Sequence, residues 1–275
     1  MKMTKEQPIG FIDSGVGGLT VVKEAMKQLP NEHILYLGDT ARCPYGPRPA
    51  EQVIEYTFEM ANFLMEQHIK MLVIACNTAT AVALEAIRAA LPIPVVGVIL
   101  PGARAAVKAT KTQQVGIIGT IGTVKSQSYY QALKAKQQEI TVTSLACPKF
   151  VPIVESNQFQ TAVAKKIVAQ TLQPLVHKQL DTLILGCTHY PLLRPLIQNM
   201  MGDGVTLIDS GAETVSEVSV LLDYFQLANP NPLKKRAIFY TTGSTALFDE
   251  IATQWLPITR AQSKKIHLGG TTNEI

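Results

Sequence analysis

Two stretches constrain the fold of this chain more than any others. Leu72-Val73-Ile74-Ala75-Cys76-Asn77-Thr78 and Leu183-Ile184-Leu185-Gly186-Cys187-Thr188-His189 follow one plan: large aliphatics, a small residue, a cysteine, then polar residues. An unbroken aliphatic run of that length fits a parallel strand buried on both faces. The carboxyl ends of such strands are where open α/β sheets bind ligands. Each cysteine is therefore expected at the mouth of a strand, 111 positions from its counterpart.

Other fragments repeat at a similar offset, as an internal duplication would. Gly10-Phe11-Ile12-Asp13-Ser14-Gly15-Val16-Gly17 is echoed 106 positions later by Gly116-Ile117-Ile118-Gly119-Thr120-Ile121-Gly122-Thr123. Cys43-Pro44 returns as Cys147-Pro148, and Val95 to Val98 has a looser partner in Val205 to Ile208. The shared order and near-constant spacing predict two similar parallel-sheet α/β domains related by pseudo-two-fold symmetry, with the active site between them. The boundaries follow from the repeat: residues 1–99 plus a returning 209–275 form one domain, and 100–208 the other.

Along the chain, apolar spacing predicts strands at Ile9–Ile12, Ile34–Leu37, Val95–Ile99, Val115–Ile118, Thr141–Leu145, Val205–Ile208 and Arg236–Thr241, besides the two cysteine strands. Helices are expected over Leu19–Gln28, Glu51–Lys70, Thr78–Leu91, Pro101–Thr110, Ser126–Gln137, Gln160–Lys178, Pro191–Met200, Asp209–Phe225 and Ser244–Trp255. Strand alternating with helix implies right-handed crossovers. Asn229-Pro230-Asn231-Pro232 reads as a linker, and Ala261 to Ile275 as a loosely held tail without pattern.

Composition excludes several classes. A chain of 275 residues that is 47% hydrophobic and 17% charged can bury a large core. Its net charge of +4 comes with no basic run longer than Lys234-Lys235-Arg236, so nucleic acid is not an expected partner. No stretch has the length of a membrane span, and Met1 to Pro8 lacks the apolar core of a signal peptide, so the cytoplasm is expected. Four cysteines without C-x-x-C spacing make neither a disulfide framework nor a zinc ribbon. No metal site is expected from the five scattered histidines either.

The turn Asp13-Ser14-Gly15-Val16-Gly17-Gly18 resembles a phosphate loop but lacks its lysine and its glycine spacing. It can be an anion site for a carboxylate or phosphate, or a tight turn with Asp13 capping the helix. Cys76 and Cys187, each just ahead of a helix, are placed where the helix dipole lowers a thiol pKa. A free cysteine is more often a small buried hydrophobe, but two at equivalent repeat positions beside polar residues argue against that. Cys43 and Cys147, each followed by proline, read as structural. Two thiols on opposite sides of a crevice suit inversion of a stereocentre bearing an acidic hydrogen, which needs a base on one face and an acid on the other. A disulfide oxidoreductase would want the pair close together, and a cysteine hydrolase needs only one.

Four motifs carry a family resemblance: Gly10 to Leu19, Asp39-Thr40-Ala41-Arg42-Cys43-Pro44-Tyr45-Gly46, Ala75-Cys76-Asn77-Thr78-Ala79, and Gly186-Cys187-Thr188-His189-Tyr190-Pro191-Leu192. In order and spacing the chain resembles the glutamate racemases of the cofactor-independent aspartate/glutamate racemase superfamily. The resemblance implies interconversion of L- and D-glutamate for cell-wall precursor synthesis, without pyridoxal phosphate or metal, by a homodimer. It implies that Cys76 acts on D-glutamate and Cys187 on L-glutamate. Asp13 would assist Cys76; His189, with Glu155, would assist Cys187. Asp13, Ser14, Tyr45, Gly46, Asn77, Thr78, Thr188 and His189 would hold the substrate, with Thr120 a further candidate. The alternatives are an aspartate racemase of the same superfamily and a two-domain amino-acid-binding protein without catalysis.

Overall fold

A computed structural model describes residues 3–231 and 237–269. The first half runs β1 (Ile9–Asp13), α1 (Leu19–Gln28), β2 (Ile34–Gly38), α2 (Ala50–Glu66), β3 (Met71–Ile74), α3 (Asn77–Ala90) and β4 (Val95–Gly97), after which α4 (Ile99–Ala109) packs with the second half. The second runs β5 (Gln114–Gly119), α5 (Ile121–Lys125), α6 (Ser128–Lys136), β6 (Thr141–Ala146), α7 (Phe150–Glu155), α8 (Ala162–Val176) and β7 (Thr182–Gly186). A 3-10 turn (Tyr190–Leu193), α9 (Arg194–Met201) and β8 (Thr206–Asp209) complete it. The chain then returns through α10 (Ser210–Tyr224), β9 (Ala237–Thr241), α11 (Thr245–Trp255) and β10 (Ser263–Lys265).

The strands form two parallel sheets, ordered β10-β9-β2-β1-β3-β4 and β6-β5-β7-β8. Within the larger sheet, β2-β1-β3-β4 has the same order as the whole of the smaller one. The repeated sequence fragments thus occupy equivalent strands: β1 with β5, β3 with β7, β4 with β8. Cys76 follows β3 and Cys187 follows β7, at matching strand ends. Both strands are buried along their full length, because helices cover both faces of each sheet. Fully burying one of these aliphatic side chains contributes about 1.5–3 kcal/mol, so the strands that carry the cysteines are among the firmest supports in the molecule.

β9 pairs with β2 and β10 with β9, which extends the first sheet with the end of the chain. A buried ion pair marks this return. Lys70 Nζ meets Glu32 at 2.6 Å and donates to the carbonyl of Leu227 at 2.8 Å, while Glu32 accepts from Asn229 N–H. The segment after α10 is thereby tied to the amino end of β3.

Several expected boundaries shift. Ile99 opens α4 rather than closing β4. The helix expected over Ser126–Gln137 is α6, which starts only at Ser128 because Gln127 adopts a left-handed conformation at φ 58°; the short α5 ahead of it was not expected. The helix expected to end at Lys70 ends at Glu66, and His68 has φ 59°. The tail expected from Ala261 contains β10 instead. Ser-Lys-Lys has no aliphatic run to betray a strand, and its lysines are what a sheet edge tolerates. Met1 and Lys2, Pro232 to Arg236, and 270–275 from the linker, last strand and tail lie outside the described residues. Among the described residues, no helix is long and apolar enough to cross a membrane.

Candidate active site

The carboxyl ends of the two sheets meet at one narrow cavity. Cys76 and Cys187 both line it, with Ser14, Cys43, Pro44, Tyr45, Gly46, Asn77, Thr78, Thr120, Val151, Thr188 and His189. It adjoins a wider cavity of about 460 Å3, whose walls include Cys43, Thr120, Cys147, Val151 and Glu155. Asp13 lies behind the first cavity, fully buried at the end of β1.

Cys76 is the N-cap of α3. Its sulfur accepts from Ala79 N–H at 3.4 Å, and its thiol donates to Ser14 Oγ at 3.6 Å. The helix terminus was expected to lower its pKa, and the balance goes the other way. Burial first, then the charge of Asp13, push the thiol up to about 12, against the pull of Ala79 N–H and Ser14. A helix terminus contributes at most about 2 kcal/mol even when partly buried, so desolvation wins. Asp13 is itself raised by burial, although His189 and the N–H groups of Gly18 and Gly15 pull it back. One carboxylate oxygen, Oδ2, accepts from Gly15 N–H at 3.0 Å, an Asx turn rather than a helix cap; the other, Oδ1, is buried without a partner among the described residues.

The Cys187 side is built differently. His189 Nδ1 stands 3.7 Å from Cys187 Sγ, and its Nε2 stands 3.0 Å from Glu155 Oε1. Burial alone would pull the imidazole down; the sulfur and the carboxylate on its two nitrogens outweigh it and raise His189 to about 10. Glu155 ends α7, a helix of six residues containing Pro152, too short to announce itself by periodicity.

Polar groups close the cavity across the two halves. Thr78 Oγ1 and Thr120 Oγ1 share a hydrogen bond at 2.8 Å, and Gly46 carbonyl accepts from Gly122 N–H at 3.0 Å. Thr120 caps α5 as Cys76 caps α3. The Tyr45 hydroxyl donates to Asp39, which also accepts from Thr242 Oγ1 and pairs with Arg42. Tyr45 therefore presents the cavity with its ring and main chain rather than its phenol. Cys43 and Cys147, read as structural, also reach the cavity walls; burial raises both thiols, which keeps them protonated. Among the described residues, no cluster of three or more histidine, cysteine or carboxylate side chains could hold a metal ion.

A model of the Asp/Glu/hydantoin racemase family matches residues 10–218, most of the chain and every residue of the cavity. The chain belongs to this family. A glutamate racemase from Enterococcus faecalis is 69% identical over 273 residues, 99% of this chain and 100% of that one. The crystal structure of a glutamate racemase from Bacillus anthracis superposes with a TM-score of 0.93 at 47% identity, covering 96% of this chain and 98% of that one. A glutamate racemase from Francisella tularensis, in complex with D-glutamate, superposes with a TM-score of 0.89 at 32% identity over the same shares.

Within this racemase-family fold, sequence reasoning did not find the part played by Gly17. A Cβ there would stand 2.3 Å from Thr188 Oγ1 and 2.5 Å from His189 Nδ1. The glycine loop of the first half packs flush against the second half's thiol motif. Read alone, the loop is either an anion site or a tight turn; only the packing gives this glycine its reason.

Proposed function

We propose that this protein interconverts L- and D-glutamate by a two-thiol acid–base mechanism. The observation that carries the reading is the pairing of two cysteines at equivalent strand ends on one cavity, each with a different proton partner behind it. From L-glutamate, the Cys187 thiolate removes the Cα proton, the charge spreads onto the α-carboxylate, and Cys76 delivers its own proton to the opposite face. A Cys76 thiol held protonated by burial is ready for that delivery. His189, steadied by Glu155, accepts and returns the Cys187 proton. In the reverse direction Asp13, with an unpartnered oxygen and a raised pKa, takes the proton of Cys76; the thiolate left removes the Cα proton of D-glutamate while Cys187 delivers its proton to the opposite face.

Ser14, the main chain at Tyr45 and Gly46, Asn77, Thr78, Thr120 and Thr188 hold the substrate's carboxylates and ammonium. Glutamate as substrate is supported by the names of the relatives and by the D-glutamate bound to the Francisella tularensis protein. The reading takes residues 1–99 with 209–275 as one domain and 100–208 as the other. It extends to a cytoplasmic homodimer that supplies D-glutamate for cell-wall precursors.

The test is turnover of L-glutamate in D2O by the purified protein with no added cofactor, followed by circular dichroism and mass spectrometry. The first D-glutamate formed should carry deuterium at Cα, while unreacted L-glutamate stays mostly protiated. Early product that retained its original Cα hydrogen would point to one swinging base and overturn the two-thiol mechanism.

A further inference from the structure

One buried side chain touches the neighbours of both thiols without being part of either motif. Tyr129 lies in the first turn of α6, directly after the left-handed Gln127 that ends the preceding turn. That turn aims two successive residues at the first half of the molecule: Ser128 Oγ donates to the Ala81 carbonyl at 3.3 Å, and Tyr129 hydroxyl donates to Asn77 Oδ1 at 2.7 Å. The Tyr129 ring packs against the main chain of Gly186, where a Cβ would come within 3.1 Å of its Cε2. Gly186 precedes Cys187, and Asn77 follows Cys76. The ring thus rests on one thiol-bearing strand end while the hydroxyl holds the other.

The orientation of the Asn77 amide has a consequence for the cavity. With Oδ1 turned to the phenol, Nδ2 turns away from it; Nδ2 is buried and has no partner among the described residues. Asn77 lines the cavity between the thiols. A buried amide N–H2 without an acceptor is unfavourable, and a carboxylate in the cavity is an acceptor of matching chemistry. The opposite flip would present Oδ1 to that carboxylate and repel it.

We propose that Tyr129 is a positioning residue, which fixes the Asn77 amide so that its N–H2 faces the substrate's carboxylate. This rests on the racemase reading above and adds to it a residue that acts through Asn77 rather than on the substrate. Tyr129→Phe removes the hydroxyl and keeps the ring in its slot. The loss of one hydrogen bond of ordinary net worth should raise KM for both enantiomers about threefold to tenfold. The kcat values should stay within about twofold, because no reacting atom is touched. On an Asn77→Ala background, Tyr129→Phe should change KM no further. In the substrate-free protein, the NMR signal of the Asn77 side-chain amide should shift in Tyr129→Phe.

An unchanged KM, a loss confined to kcat, or a full effect persisting on the Asn77→Ala background would overturn the proposal. So would an Asn77 amide signal indifferent to the phenol. That signal needs no substrate and no second variant. A wild-type protein that failed to turn over glutamate would sink the racemase reading, while the amide signal would still decide whether Tyr129 positions Asn77.

Discussion

Gly17 and His189 are packed so closely that a single added methyl would lie 2.5 Å from the imidazole Nδ1, the nitrogen facing Cys187. Backbone of one half and catalytic candidate of the other share a contact with no slack. Gly17→Ala must therefore displace the His189 ring or part the two halves. Misplacement on the ångström scale costs about 100-fold in rate, and overpacking costs about 1–3 kcal/mol of stability. Gly204→Ala is the control, since nothing lies within 4 Å of its added Cβ. Steady-state turnover and thermal melting of both variants test this; a Gly17→Ala protein with wild-type kcat would refute it.

The four cysteines should divide into two classes. Cys76→Ala and Cys187→Ala should each reduce racemisation to background, since loss of one proton-transfer group costs roughly 10²–10⁴-fold and the empty face has no substitute. Cys43→Ala and Cys147→Ala should retain most activity, although both line the cavity walls, because burial holds their thiols protonated. Near-normal turnover in either member of the first pair ends the two-thiol account.

The helpers should be separable by direction. Asp13→Asn should slow turnover from D-glutamate more than from L-glutamate, and His189→Asn the reverse, in kcat at saturating substrate. The equilibrium ratio of enantiomers must be the same in all three proteins. Loss of affinity with kcat unchanged would make both residues binding groups only.

His189 should leave a signature in the pH dependence of stability. Its folded pKa is raised from 6.5 to about 10, so the folded protein binds this proton more tightly than the unfolded chain. The resulting stabilisation is complete below pH 6.5 and is lost as pH rises through about 10. Urea unfolding of wild type and His189→Gln should show a stability difference that shrinks steadily across that window. A difference that grew with pH would reverse the assignment.

Much of this was legible because it is local. Aliphatic runs set β3 and β7, and the 3.6-residue spacing set α1, predicted over Leu19–Gln28 and found there. The repeated fragments foretold two similar parallel sheets with Cys76 and Cys187 at equivalent strand ends; the strand order they share came from the structure. Signals failed where the pattern is too short or too polar to register. α7 has six residues and a proline, β10 is Ser-Lys-Lys, and Gln127 gives no hint of its left-handed turn.

The sequence by itself determined the elements, their duplication and the two thiols, since these follow from backbone periodicity and from residues adjacent in the chain. Only the tertiary structure decided how Cys76 is tuned. The rise in the Cys76 pKa comes from burial, which depends on what the sheets bring over it. Gly17 against His189, and Tyr129 on Asn77, are contacts between residues 172 and 52 positions apart. No local pattern encodes such a contact; it exists because the two sheets pack with their carboxyl ends face to face.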